Sequence, residues 1–301
     1  YSEAELERIA RAYSEAISPL IGEKIDIPAP DVNTNGKIMS WMVDAYENVV
    51  KHSAPGVFTG KPVEFGGSLA RTEATGYGVN FAAVQALEKL GKDVKGATYA
   101  IQGFGNVGYH TGYYAHKAGA KIVAVSTVDV AIYNENGLDM EAIIKEFQEK
   151  GFITNEAGYG KEISNAELLA LDVDVLAPCA LENQLTSENA GKVRAKIVVE
   201  GANGPTTPEA DVILRQNGVL VVPDILANCG GVVVSYFEWV QNLQGYYWEF
   251  DEVQEKETVV LRRAFRDIWN LAQEYDVDLR TASYMMSIRR VEKAMKLRGW
   301  Y

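Results

Sequence analysis

Three glycines, Gly103, Gly105 and Gly108, carry the spacing GFGNVG directly after the run ATYAIQ. A strand that ends in such a turn, with a helix opening beyond it, is shaped for a pyrophosphate. The first glycine permits the tight turn, the second lets the backbone approach the phosphates, and the third lets helix and strand pack closely. Free N–H groups and partial positive charge at the helix start then favour the anion. Glycine-rich turns are common, so the weight lies on the context: strand, turn, helix and a further strand about 20 residues on favour dinucleotide binding over a purely structural turn.

A second candidate is a single carboxylate. In IDIPAPDVNTNG, Pro28 and Pro30 bracket Ala29 and stiffen the chain that delivers Asp31. Two readings stand side by side: Asp31 caps the amphipathic helix that follows, or it is held in a defined place for chemistry. Residues Asp31, Asn33, Thr34 and Asn35 are all competent caps. A third position concerns the ribose. Where a carboxylate usually receives a 2′-hydroxyl, the chain has Ser126 and Thr127, with Asp129 two residues later and no nearby Arg or Lys for a 2′-phosphate. The choice between NAD and NADP stays open, with NAD favoured.

These residues need elements to hold them. Helical spacing covers 5–17 and 36–52, and the Pro- and Gly-rich stretch APGVFTGKPVEFGGS at 54–68 reads as a connection between structural units. Beyond it, expected strands at 97–102, 121–125, 173–177, 196–199 and 219–222 alternate with helical stretches near 106–118, 140–150, 185–193 and 207–216. Such alternation indicates an α/β fold, a doubly wound, mostly parallel sheet wrapped by helices on both faces. From about Gly230 onward the chain reads as helical.

Composition narrows the function classes. The 301 residues, 47% of them apolar, suit one or two globular domains, and a formal charge of −12 argues against a nucleic-acid backbone as partner. No run of 18 uncharged apolar residues is present, so no membrane partner is expected. Cys179 and Cys229 sit in apolar contexts, and they and the three histidines lack metal-ligand spacing; no metal site and a reducing, cytoplasmic setting are expected.

Taken together, IPAPDVNTNG, TGKPVEFGGS, RTEATGYGV, GFGNVG, VEGANGPTTPEAD, VPDILANCGGVVVSYFEWVQN and AMKLRGWY closely resemble the hexameric glutamate dehydrogenases, colinearly over essentially the whole chain. Departures are Leu69-Ala70, Thr127-Val128 and Cys229. The resemblance implies a Rossmann-type cofactor domain and reversible, NAD(P)-dependent deamination of L-glutamate to 2-oxoglutarate and ammonia. It makes Asp31 the catalytic proton carrier, which passes the cap role to Asn33 or Thr34. Arg71 and Thr75 become cofactor contacts, Asn106 and Val107 pyrophosphate contacts, and Ala180, Asn203 and Asn228 neighbours of the nicotinamide riboside. Val232 and Ser235 would hold the substrate's side-chain end, Ser235 through its hydroxyl.

The family's substrate-binding and catalytic lysines come from a glycine-rich segment of the GGGKGG kind. The nearest match, around Lys61, belongs to the connection at 54–68. The expected organisation is therefore a remnant of a substrate and oligomerisation domain at 1–57, a cofactor domain at 58–279 and a last helix at 280–301 that returns to the first domain. By itself such a chain is expected to bind cofactor with little or no turnover, and its assembly into the family's homo-hexamer is in question. Two rivals remain: a leucine, valine or phenylalanine dehydrogenase, against which the Ser235 hydroxyl speaks, and a non-catalytic dinucleotide-binding fragment.

Overall fold

A computed structural model describes residues 1–31 and 33–300; Val32, inside the proline-bracketed motif, and Tyr301 lie outside the described residues. In chain order the elements are α1 (Glu3–Ile17), α2 (Gly36–Val50), α3 (Ala74–Lys89), β1 (Thr98–Gln102), α4 (Asn106–Lys117), β2 (Lys121–Ser126) and β3 (Ala131–Tyr133). There follow α5 (Met140–Lys150), β4 (Lys161–Ile163), α6 (Asn165–Leu169), β5 (Val175–Pro178), β6 (Ile197–Val199) and α7 (Pro208–Gln216). The chain ends with β7 (Leu220–Val222), α8 (Asp224–Ala227), α9 (Gly230–Gln244), α10 (Phe250–Tyr275) and α11 (Leu279–Leu297). Two compact units result: residues 1–74 with 231–257, and 75–230 with 258–301. The ranges expected from sequence were 1–57, 58–279 and 280–301.

The larger unit is a seven-stranded sheet in the order β4-β3-β2-β1-β5-β6-β7. The strands β2, β1, β5, β6 and β7 run parallel, while β3 and β4 extend the sheet antiparallel beyond β2. Alternation along each strand divides the core. Tyr99 and Ile101 of β1 join Val79, Leu87, Ile122, Ile197 and Phe265 on one face, and Ala100 joins Leu168, Leu176, Val198 and Leu214 on the other. Both faces are covered, as β-branched runs in a parallel sheet require.

The stretch 185–193, expected as a helix, forms a single 3-10 turn at Ala190–Lys192. Its local polar side chains compete with helix bonding: the Asn189 side chain accepts from the Thr186 N–H at 2.8 Å and donates to the Gln184 carbonyl at 2.8 Å. Conversely, α3 is a helix that the sequence pattern did not announce. Its glycines serve close approach, since a Cβ on Gly76 would stand 2.5 Å from the His110 Cβ and 2.7 Å from the Val107 carbonyl oxygen of α4.

In the smaller unit α1 and α2 pack around Ala10, Met39, Met42, Val43 and Tyr46, with Val57 and Phe58 closing the cluster. The buried Ser14 hydroxyl donates to the Met42 carbonyl at 2.6 Å and pins the two helices. The cap of α2 falls neither to Asn33 nor to Thr34 but to Asn35, whose side chain accepts from the Ile38 N–H at 3.1 Å. The reason is conformational: Asn35 is extended (φ −152°), as an N-cap must be, whereas Asn33 is left-handed (φ 60°).

Candidate functional site

In the larger unit the loop after β1 opens at the point where the chain order of the sheet reverses, between β2 on one side of β1 and β5 on the other. Open α/β sheets bind ligands outside the carboxyl ends of their strands at such a switch point. Each glycine of GFGNVG meets a different constraint. Gly103 has φ +85°, and its Cβ would stand 2.6 Å from the Ala180 Cα. A Cβ on Gly108 would overlap the Gly103 carbonyl oxygen. Gly105 has nothing within 4 Å of the place a Cβ would take, so the space beside it is open for a phosphate. Gly105 is also the N-cap of α4 and supplies no side-chain acceptor, so the first turn of α4 keeps N–H groups for an anion.

The end of β2 braces the loop. Ser126, 2% exposed, accepts from the Gly103 N–H through its hydroxyl at 3.2 Å, and its carbonyl accepts from the Phe104 N–H at 2.6 Å. Thr127 folds its hydroxyl onto the backbone, accepting from the N–H groups of Asp129 (3.3 Å) and Val130 (3.2 Å). The structure places Ala180 against Gly103 and brings Asn203 and Asn228 together, the Asn228 amide donating to the Asn203 side-chain oxygen at 2.7 Å and to the Gly201 carbonyl at 3.3 Å.

A charged network supports these loops. Arg280, at the start of α11, holds Glu200 at 2.7 Å, Asp211 at 2.5 Å and Asp224 at 3.4 Å. Glu200 accepts from the Asp224 N–H at 2.7 Å, and Asp224 accepts from the Gly204 N–H at 2.8 Å. Burial pushes the Glu200 carboxyl up, with Arg280 acting against it. Cys179 packs beside Gly201, and burial pushes its thiol up to about 12, which suits a packing residue and not a nucleophile.

The smaller unit holds the other predicted residues. Asp31 is exposed at the end of the extended proline segment, its N–H donating to the Thr34 hydroxyl at 2.6 Å and its carbonyl accepting from the Thr34 N–H at 3.0 Å. That segment is fastened to residues 59–61: the Thr59 N–H donates to the Pro28 carbonyl at 3.1 Å, and Gly60 lies so close to Pro30 that a Cβ would reach 2.5 Å from its ring. Gly60 in turn donates its N–H to Glu238 of α9 at 2.8 Å. Lys61 and Glu238 then form an ion pair of 2.6 Å with both side chains fully buried, and the Lys61 ammonium also donates to the Phe58 carbonyl at 2.6 Å. Desolvation lowers the Lys61 pKa against the pull of Glu238.

One turn back along α9 from Glu238 lies Ser235, buried, whose hydroxyl accepts from Arg71 Nε at 2.9 Å. Among the described residues this is the one hydrogen bond of the Arg71 side chain, so most of its donors remain available. Val232, on the same face of α9, is 67% exposed. Thr75 is half-buried in the first turn of α3. Sequence reasoning placed Lys61 in the connection and missed its pairing with Glu238, since a lone lysine in a connecting stretch carries no signal of its distant partner. The aromatic group at 246–250 serves packing through Trp248, whose ring meets Phe237 at 5.5 Å and lies under the Lys256 ammonium at 4.8 Å.

The glycine loop at the switch point of an open α/β sheet defines a dinucleotide-binding domain. The chain belongs to the Glutamate/Leucine/Phenylalanine/Valine dehydrogenase family, whose sequence profile matches residues 66–299, and the Glu/Leu/Phe/Val dehydrogenase dimerisation domain matches residues 1–48. The chain is 54% identical to the NAD-specific glutamate dehydrogenase of Clostridioides difficile and 50% identical to the glutamate dehydrogenase of Thermotoga maritima, in each case over 100% of this chain and 72% of the relative. The crystal structure of glutamate dehydrogenase from Peptoniphilus asaccharolyticus superposes with a TM-score of 0.87 at 43% identity, covering 100% of this chain and 72% of that one. The hetero-hexameric glutamate dehydrogenase of Thermus thermophilus, in its Leu-bound form, does so at 0.92 and 34%, covering 100% and 71%.

The loop geometry separates two substitutions. Gly105→Ala is expected to fold as the parent does, because its φ of −86° is ordinary and the space is open, yet to weaken dinucleotide binding by roughly tenfold or more where backbone meets phosphate. Gly108→Ala should instead lose both stability and binding. Thermal melts beside fluorescence titration with NADH check this; equal melting losses for the two variants would contradict it.

Proposed function

We propose that the chain carries the cofactor domain and part of the substrate site of an NAD-dependent glutamate dehydrogenase, which converts L-glutamate reversibly to 2-oxoglutarate and ammonia. The observation that carries this reading is the Arg71–Ser235 pair: Arg71, which the resemblance made a cofactor contact, turns its Nε to Ser235 at 2.9 Å, and we read this cation and hydroxyl together as the receiver of a side-chain carboxylate. The apolar side chain of a leucine, valine or phenylalanine substrate would leave those groups desolvated and unpaired, which disfavours the rival specificities. The names of the relatives, NAD-specific among them, support both the substrate and the cofactor.

The residues present fit a dinucleotide, as the open space at Gly105 and the uncapped start of α4 attest. Gly103, Gly105, Asn106, Val107 and Gly108 would cradle its pyrophosphate, Ser126 and Thr127 would border its adenosine ribose, and Thr75, Ala180, Asn203 and Asn228 would border its nicotinamide riboside. When bound, the nicotinamide supplies the acceptor for the hydride that leaves the substrate Cα. Asp31 takes the proton from the substrate nitrogen and returns it in the reverse direction. Arg71 and Ser235, with Val232 beside them, fix the far end of the substrate, so that Cα is presented in one orientation. The setting we propose is the cytoplasm, and the assembly a homo-hexamer, supported by the dimerisation-domain match at 1–48.

Replacing Ser235 by Ala in the full-length enzyme tests the substrate reading. The KM for glutamate should rise roughly tenfold to a hundredfold, while the Kd for NADH and the turnover of L-norvaline, which lacks the side-chain carboxylate, stay where they were. Steady-state kinetics on both substrates would refute the reading if glutamate and norvaline were affected alike.

A further inference from the structure

One buried acid has no part in the function proposed above. Glu257, on α10, is 0% exposed, and neither of its carboxyl oxygens has a hydrogen-bond partner among the described residues. A carboxyl so placed is costly unless something nearby needs it. The charged groups that face it are Glu73 and Arg71, and Arg71 is in turn within electrostatic reach of Glu238.

We infer that Glu257 is a positioning residue for Arg71, one that competes with the substrate's side-chain carboxylate for the guanidinium charge. The inference rests on the reading of Arg71 and Ser235 as the receiver of that carboxylate. Among the described residues Arg71 makes a single side-chain hydrogen bond, through Nε to Ser235, so its remaining donors and most of its charge are open to whichever anion lies nearest. Glu238 is committed elsewhere, since both its oxygens are held by Gly60 and Lys61. Glu257 is therefore the acid left to answer Arg71.

Its protonation decides the contest. Burial, and then the negative charge of Glu73, push the Glu257 carboxyl up to about 8, with Arg71 acting in the opposite direction. Below that pH Glu257 is a neutral acid and leaves the Arg71 charge to the substrate. Above it Glu257 is a second negative charge within electrostatic reach of the guanidinium, and the substrate's carboxylate must compete with it. Glu73 does not replace Glu257 in this role, because its charge raises the Glu257 pKa and so keeps the neutral form in place to higher pH.

The test is the ratio of KM for L-glutamate to KM for L-norvaline in the native enzyme between pH 7 and 9.5, which cancels titration of the substrate amine common to both. In the parent the ratio should rise by up to about tenfold by pH 9, and in Glu257→Gln it should stay flat. A ratio in the parent that stays within twofold over this range overturns the proposal, and that measurement stands even if the variant does not fold. A variant that folds and rises as the parent does also overturns it. Arg71→Met separates the two levels. If it leaves the ratio at pH 7 unchanged, the carboxylate reading itself is wrong and both fall; if it raises the ratio while Glu257→Gln behaves as the parent, the positioning role alone is wrong.

Discussion

In the full-length enzyme, replacing Asp31 by Asn should lower turnover of glutamate by roughly a hundred- to ten-thousandfold while the affinity for NADH stays within a factor of two. The effect should be chemical and not conformational. The cap of α2 belongs to Asn35, so the helix keeps its first-turn bond without Asp31. The turn that holds residue 31 uses its backbone N–H and carbonyl with Thr34, both of which asparagine retains. The side chain is exposed at the end of a stiff segment, so no core is disturbed. Stopped-flow and steady-state assays would check the loss, with a melting curve to confirm the fold. A variant that kept more than a tenth of the parental turnover would remove Asp31 from the role of proton carrier.

The second large effect concerns stability. Lys61→Met should destabilise the smaller unit by about 3–5 kcal/mol, because it leaves Glu238 charged, desolvated and without its cation. The Lys61→Met/Glu238→Leu double variant should recover part of this loss, since no buried charge remains. It should not recover all of it: the N–H of Gly60 and the carbonyl of Phe58 would lose their partners, at roughly 1–3 kcal/mol each. Activity should suffer along with stability, for the same contacts fasten the Asp31 segment to the helix that carries Ser235. Denaturant unfolding of the parent, the single and the double variant completes the cycle. A single-variant loss below about 1 kcal/mol would contradict the assignment of this pair as a structural keystone.

How far the sequence spoke depended on how local each feature is. The five parallel strands were legible because each is a short run made mostly of apolar residues, and the glycine loop because its three glycines fall within six residues. The strands β3 and β4 have three residues each, too few for a period to show. The helix α3 was hidden by Gly76 and Gly78, which weaken helical propensity and are there for contact with α4 and with Ala227 and Gly230. The stretch 185–193 misled in the other direction, because the backbone bonds of Asn189 cannot be read from apolar spacing. For Asp31 the proline bracket showed only stiff delivery, and the role of proton carrier that we propose for it came from the family resemblance. The pairs that organise the rest join residues 177 positions apart, in Lys61 and Glu238, and 164 apart, in Arg71 and Ser235. Such pairs become visible only when the chain has folded.

The short β4 has a consequence for the protein's behaviour at high concentration. An open sheet offers its last strand as a template on which another chain can build. Here that strand is three residues long, and two of them, Lys161 and Glu162, are charged and exposed. The antiparallel extension through β3 thus moves the sheet's border away from the long apolar runs of β1 and β2 and finishes it with a segment that resists edge-to-edge growth. Deleting this extension should leave the dinucleotide loop in place and expose β2, with self-association through the sheet as the expected result in light scattering.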